Sequence, residues 1–115
     1  ARLFKASRNS LAGLAHAFNR EPAFRLEAAL LVTAIPVAWA ITSSFSSLIW
    51  LVGAVAAVLV AELLNTAVEQ VCNAVSRDYR EEIRIAKDCA SAAVLLTSVI
   101  CGAIWLGAVL DFISG

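Results

Sequence analysis

The chain has 115 residues, of which 61% are hydrophobic, and its nine Lys and Arg residues balance nine Asp and Glu residues. This composition excludes an ordinary soluble domain, and the zero net charge excludes a basic nucleic-acid-binding protein. It predicts a single all-α membrane domain over residues 1–115. The three cysteines have no zinc-binding spacing, so we interpret them as small apolar residues.

The first predicted element is an amphipathic helix over residues 1–20. Its apolar face carries Phe4, Leu11 and Phe18, and its basic residues lie elsewhere on the surface. Such a helix lies in the membrane interface or packs on its own bundle, and the two placements are compatible. Three apolar helices follow, which we predict to span the membrane at residues 26–42, 45–73 and 87–110.

The orientation of these helices is predicted from the basic residues, all of which fall within residues 2–25 and 77–87. Two crossings separate the two segments, so both lie on one side, which the positive-inside rule makes the cytoplasm. The N-terminus is therefore expected inside and the C-terminus outside. Eight of the nine acidic residues belong to the same side. This mixture of charges indicates a site for a metal-bound polyanion.

A polar stripe begins where the second predicted span ends. It starts at Glu62, and Asn65, Thr66, Glu69 and Asn73 follow at +3, +4, +7 and +11. On a helix these positions fall within roughly 100° of arc. Ionisable groups at the end of a span are costly and mark functional sites. Helical rise places Glu69 about 10 Å beyond Glu62. This separation suits a stripe that binds lipid at its Glu62 end and metal with phosphate at its Glu69 end.

Phosphoryl transfer needs Mg²⁺ ligands, cations for the phosphates and a group that activates the nucleophile. The sequence has no G-x-x-x-x-G-K-[ST] loop and no G-x-G-x-x-G loop, so side chains would have to hold the phosphates. Glu62 lies where a lipid hydroxyl could reach it and suits a general base. Lys87, which begins the third span, suits a point charge on phosphate.

Three segments resemble the bacterial integral-membrane diacylglycerol kinases. They are E-x-x-N-x-x-x-E from Glu62, A-K-D ending at Asp88 with S-A-A-V-L-L from Ser91, and E-P-A-F-R-L-E from Glu21. The resemblance covers nearly the whole chain in order. It implies a homotrimeric helical bundle in the bacterial cytoplasmic membrane, with its N-terminus cytoplasmic and its C-terminus periplasmic. It also implies transfer of the γ-phosphate of ATP, with Mg²⁺, to diacylglycerol, which gives phosphatidic acid.

The resemblance also implies site residues. Glu62 matches the general base, and Asn65 and Lys87 match catalytic positions beside it. Glu21 and Glu69 match positions that bind the metal and ATP. Further ATP-binding positions are Arg2, Asp78, Tyr79, Arg80, Lys87 and Asp88. Lipid-binding positions are Ser10, Phe24, Arg25, Glu27, Ser91 and Trp105. Asn73 stands where the family usually has an aspartate, so this position of the stripe carries no charge here.

Two alternatives remain open from the sequence. An undecaprenol kinase belongs to the same superfamily, although Arg25-Leu-Glu27 and the Ser91-Ala-Ala run look closer to the diacylglycerol type. A non-catalytic membrane subunit or a small ion-conducting oligomer would use the polar stripe as a path. Such a path needs polar positions through the whole span, and residues 48–61 have none.

Overall fold

The computed structural model describes residues 2–115 and contains four α-helices and no strand in that range. Helix α1 spans Arg2–Arg20, α2 spans Pro22–Ile41, α3 spans Phe45–Val75 and α4 spans Glu81–Ser114. Helices α2, α3 and α4 are each long and apolar enough to cross a membrane. The predicted all-α architecture, with one amphipathic helix before three apolar helices, is therefore confirmed. The trimeric assembly stays a prediction.

Two helices begin earlier than the predicted spans. Helix α2 starts at Pro22, because proline at the first helical position has a preset φ and lacks an N–H that would have no partner there. Helix α4 starts at Glu81, so the charged residues before Lys87 form its first turns. Glu81 and Glu82 lie in the first turn, where acidic side chains complement the helix dipole.

The connections between the helices are short. Glu21 alone joins α1 to α2, with its N–H bonded to the carbonyl of Ala17 at 2.8 Å. Ser44 caps α3 by accepting a hydrogen bond from the backbone N–H of Ser47 at 3.2 Å. Residues 76–80 join α3 to α4. The short corner at Glu21 fixes a carboxylate where α1 and α2 meet.

Helix α3 is the centre of the bundle, because α1, α2 and α4 all pack against it. The buried apolar residues are mostly small, which lets helix backbones approach closely in a membrane. They are Ala17, Phe24, Ala34, Ala38, Leu51, Val58, Ala61 and Cys72. Helix α4 has no buried residue, yet the Trp105 indole N–H donates to the Leu51 carbonyl at 3.0 Å and ties α4 to α3.

Candidate active site

Glu62, in the middle of α3, has three other carboxylates within electrostatic range, two of which belong to the α1–α2 corner and to α2. Glu62 lies close enough to Glu21 and Glu69 for their charges to act on it, and the charge of Glu62 acts in turn on Glu27. All four side chains are partly buried. The fold therefore brings the predicted base together with both predicted metal ligands and one predicted lipid-binding residue. We call Glu21, Glu27, Glu62 and Glu69 the carboxylate cluster.

The carboxylate cluster has no cationic side chain to neutralise it. Within residues 2–115 the salt bridges are those of Arg84 with Glu81 and with Asp88, both outside the cluster. Carboxylates held near one another repel, so the cluster is an electrostatically unfavourable arrangement that a cation would stabilise.

The carboxylate cluster fits a metal that arrives with its phosphates better than a resident ion. In the described range, no group of three or more His, Cys, Asp or Glu side chains is placed to hold a metal ion by itself. Mg²⁺ commonly takes one or two carboxylates and completes its coordination with phosphate oxygens and water. Glu21 and Glu69 supply that number of carboxylates, so the donor set fits a magnesium–nucleotide complex.

Asn65 contacts Glu69, the second carboxylate of the stripe. Its Nδ2 donates to Glu69 Oε1 at 3.0 Å, one helical turn along α3. The resemblance implies a catalytic role for Asn65 beside the predicted base. Its contact in the structure is with the predicted metal ligand, so Asn65 fixes the rotamer of Glu69 and leaves the second carboxylate oxygen free.

Lys87 reaches the far end of the same stripe from α4. Its Nζ donates to Asn73 Oδ1 at 3.1 Å, in a contact that is partly buried. Asn73 lies one helical turn beyond Glu69 on the same face of α3. The structure therefore places Lys87 at the Asn73 end of the stripe, and its role toward phosphate stays a prediction.

A second polar network occupies the start of α4. Arg84 Nη1 donates to Asp88 Oδ2 at 2.8 Å, Arg84 Nη2 donates to Glu81, and the Tyr79 hydroxyl donates to Glu81 Oε2 at 2.8 Å. These hydrogen bonds from Arg84 and then Tyr79 hold the pKa of the Glu81 carboxyl below its usual range. Two predicted ATP-binding residues, Tyr79 and Asp88, are thus linked through Arg84 and Glu81. Sequence reasoning missed both linking residues, although opposite charges at i,i+3 and i,i+4 were the available signal.

The remaining predicted ATP-binding residues lie at the surface. Arg2, Asp78 and Arg80 are exposed, and within residues 2–115 their side chains form no hydrogen bond or salt bridge. Their roles therefore stay predictions.

An apolar groove of about 430 Å³ runs between α2, α3 and α4. Its lining residues are mainly apolar: Glu27, Leu30, Thr33, Ala34, Val37, Val55, Val58, Ser98, Cys101, Gly102 and Trp105. Glu27 belongs both to this groove and to the carboxylate cluster, and its buried Oε1 has no hydrogen-bond partner within residues 2–115. Glu27 therefore links the apolar groove to the carboxylate cluster.

Sequence reasoning missed several residues of the groove. Ser98, Cys101 and Gly102 precede the predicted Trp105 by seven, four and three positions, so they share its face of α4. That spacing was the available signal, but a stripe of small residues also occurs at ordinary contacts between membrane helices. Thr33 gave no signal of its own.

The predicted lipid-binding residues divide into two groups. Glu27 and Trp105 line the groove, and their lipid-binding role stays a prediction. The other four lie outside it. Phe24 is buried in the helix core, Ser91 is exposed, and the Ser10 hydroxyl donates to the Ala6 carbonyl at 2.9 Å. For these positions lipid binding stays a prediction.

Arg25, the last of that set, contacts the end of α1. Its Nη1 donates to the carbonyls of Phe18 at 2.9 Å and Asn19 at 3.3 Å. These carbonyls lie in the last turn of α1, where a cation also complements the helix dipole. Arg25 therefore ties the start of α2 to the last turn of α1, across the corner that carries Glu21.

We expect Arg25→Gln to weaken this corner and to lower the free energy of unfolding by about 0.5–1 kcal/mol, the usual worth of an exposed charge at a helix end. Equilibrium unfolding in detergent would measure the change. Arg77→Gln is the matched control, because Arg77 is exposed and lies outside the helices. Equal stability of the Arg25 variant and the wild type would contradict this role.

Comparison with known proteins identifies the family. The sequence profile of the family described as prokaryotic diacylglycerol kinase matches residues 8–109. A diacylglycerol kinase of Haemophilus influenzae is 36% identical over 105 residues, which cover 91% of this chain and 89% of that protein. Diacylglycerol kinases of Escherichia coli K12 and Pseudomonas aeruginosa are 33% and 34% identical over 104 residues, covering 90% of this chain and 85% of each relative.

These relatives bear on several predictions. The relatives carry the name of a lipid kinase, so the predicted enzyme class is confirmed. Bacterial relatives and three apolar helices together indicate a bacterial membrane protein. The resemblance inferred from the motifs is also confirmed, because the matched residues include all of them. The chain therefore belongs to the prokaryotic diacylglycerol kinase family.

Proposed function

We propose that this chain transfers the γ-phosphate of ATP to the free hydroxyl of diacylglycerol, giving phosphatidic acid. It does so as a homotrimer at the inner face of the bacterial cytoplasmic membrane, with its N-terminus in the cytoplasm and its C-terminus in the periplasm. The observation that carries the proposal is the shared position of Glu27, which belongs to the apolar groove and to the carboxylate cluster. A lipid kinase must hold apolar acyl chains and carry out charged phosphate chemistry next to them, and Glu27 lies where these two regions meet.

At the lipid end, the groove takes the acyl chains, and the partnerless Glu27 Oε1 accepts a hydrogen bond from the glycerol headgroup. The donor is the free hydroxyl, the single donor of that headgroup, so this hydrogen bond passes from Glu27 to Glu62 as the reaction begins. Glu62 then accepts the hydroxyl proton as the hydroxyl oxygen forms its bond to the γ-phosphorus. The bond between that phosphorus and the bridging oxygen breaks, and ADP leaves with the electron pair.

At the phosphate end, Glu21 and Glu69 would hold Mg²⁺, with Asn65 keeping Glu69 in place. Bound Mg²⁺ would supply positive charge to the β- and γ-phosphates. Lys87 places its ammonium against the transferring phosphoryl group. Most of the rate enhancement then comes from positioning and charge stabilisation, as is usual for phosphoryl transfer.

The groove can be tested by filling it. A side chain added at Gly102 meets no atom within 4 Å at its Cβ, so Gly102→Leu should fold and occupy part of the groove. We expect the KM for diacylglycerol to rise about tenfold, which corresponds to roughly 1.4 kcal/mol of lost binding, while the KM for ATP stays unchanged. Steady-state kinetics in mixed micelles would measure both constants.

Gly107→Leu is the matched control for this prediction. Gly107 lies in the same helix and is equally open at its Cβ, but it does not line the groove. A similar rise in both variants, or no rise with Gly102→Leu, would contradict a lipid-binding role for the groove.

The reaction itself is tested by radiolabelled phosphate transfer from ATP to lipids in mixed micelles. The lipid panel contains diacylglycerol, undecaprenol and a monoacylglycerol, and Mg²⁺ is present or chelated. We expect label in phosphatidic acid, and only with Mg²⁺. Label in undecaprenyl phosphate alone would favour the related lipid kinase activity. No label in any lipid would overturn the proposal.

A further inference from the structure

Lys87 and Asn73 form the one hydrogen bond between side chains of α3 and α4 in the part of the chain that the structure describes. It is 3.1 Å long and partly buried, and it joins residues 14 positions apart. Within residues 2–115 no carboxylate lies within salt-bridge distance of Lys87. The ammonium is therefore held by a neutral group, at the end of the bundle where acidic and basic side chains are both concentrated.

The acidic groups nearest to Lys87 in the chain and along the stripe have other partners. Asp88, the next residue, accepts a hydrogen bond from Arg84 and forms an ion pair with it. Glu69, one turn from Asn73 on α3, accepts a hydrogen bond from Asn65. Neither carboxylate forms a salt bridge with Lys87. Lys87 thus keeps its charge uncompensated while its position is fixed.

Resting on the proposed function, we infer that Asn73 is a positioning residue that aims Lys87 at the transferring phosphate without neutralising it. An ammonium group has three donors, and the amide oxygen of Asn73 uses one of them. Two donors and the full positive charge remain for the phosphate oxygens. An aspartate at position 73 would hold Lys87 equally well, but it would form an ion pair with which the phosphate would have to compete.

The test compares two substitutions at position 73. Asn73→Asp keeps the shape of the side chain and adds a charge, whereas Asn73→Leu keeps neutrality and removes the acceptor. We expect Asn73→Asp to weaken binding of a non-hydrolysable ATP analogue about tenfold and to raise the KM for ATP to the same extent. Asn73→Leu should weaken binding about threefold, because Lys87 loses its fixed position but keeps its full charge. Titration calorimetry measures binding, and steady-state kinetics separates KM from kcat.

Gln70→Glu is the matched control, because it makes the same amide-to-carboxylate change at an exposed position of α3. Its binding should equal that of the wild type, and an equal loss would mean that any added negative charge suffices. A merely structural role of Asn73 predicts that Leu is at least as harmful as the nearly isosteric Asp, and that order would overturn the inference. Should Asn73→Asp not fold, Asn73→Leu decides alone, because unchanged binding would overturn the inference.

Failure of the inference is distinguishable from failure of the proposed function. Wild-type protein that transfers no label to any lipid contradicts the proposed function. Wild-type protein that transfers label, together with unchanged nucleotide binding in both position 73 variants, contradicts only the role of Asn73.

Discussion

Glu62→Gln is expected to lower the rate of phosphate transfer about a thousandfold, within the usual contribution of a general base. Glutamine has nearly the same shape as glutamate but accepts no proton, so the lipid hydroxyl would stay protonated as it attacks. Nucleotide binding should remain, because Glu62 lies at the lipid end of the stripe. Single-turnover phosphate transfer and titration with an ATP analogue would measure the two properties separately.

The same substitution also predicts a change in stability. Glu62 lies among carboxylates that have no cationic partner in residues 2–115, so removal of one charge relieves repulsion. The variant should therefore unfold at the same denaturant concentration as the wild type or at a higher one. Glu82→Gln is the control, because Glu82 is exposed and lies outside the cluster. Turnover near the wild-type rate in Glu62→Gln would remove Glu62 as the base.

Glu69→Gln is expected to raise the Mg²⁺ concentration needed for half-maximal activity about a hundredfold. Magnesium prefers anionic oxygen ligands, and an amide oxygen replaces one of the two carboxylates assigned to the metal. Activity should recover in part at high Mg²⁺, because the substitution weakens metal binding without removing Glu62. Magnesium titration at a fixed concentration of ATP would measure the shift.

Asn65→Leu refines this test, because Asn65 contacts the ligand and not the metal. Loss of such an outer contact usually costs about tenfold in metal affinity, so its shift should be smaller than that of Glu69→Gln. Equal magnesium dependence in all three proteins would contradict the assignment of Glu69 as a metal ligand.

Much of the fold follows from the sequence, because the long apolar runs are strong local signals. The extension of α4 back to Glu81 was harder to predict. Its first turns are as polar as a loop, and the helix there is supported by ion pairs of Arg84 that are visible only as spacing. Local patterns thus located the helices better than their polar ends.

The site was predictable where its residues share one helix. Glu62, Asn65 and Glu69 occupy one face of α3, so their proximity follows from helical geometry alone. The approach of Glu21 and Glu27 depends on how tightly α2 turns and packs on α3, which no local pattern encodes. The groove was missed for the same reason, since its walls come from three helices and consist of common membrane residues.

The partnerless Glu27 Oε1 has a consequence for how long the protein persists in the cell before it is degraded. A buried acceptor without a donor costs about 1–3 kcal/mol, and a bound lipid hydroxyl would remove that cost. On the proposed function, the substrate is then also a stabilising ligand, and it protects the folded chain in proportion to its occupancy. Enzyme abundance would therefore follow diacylglycerol supply through slower degradation, a feed-forward adjustment that requires no separate regulator.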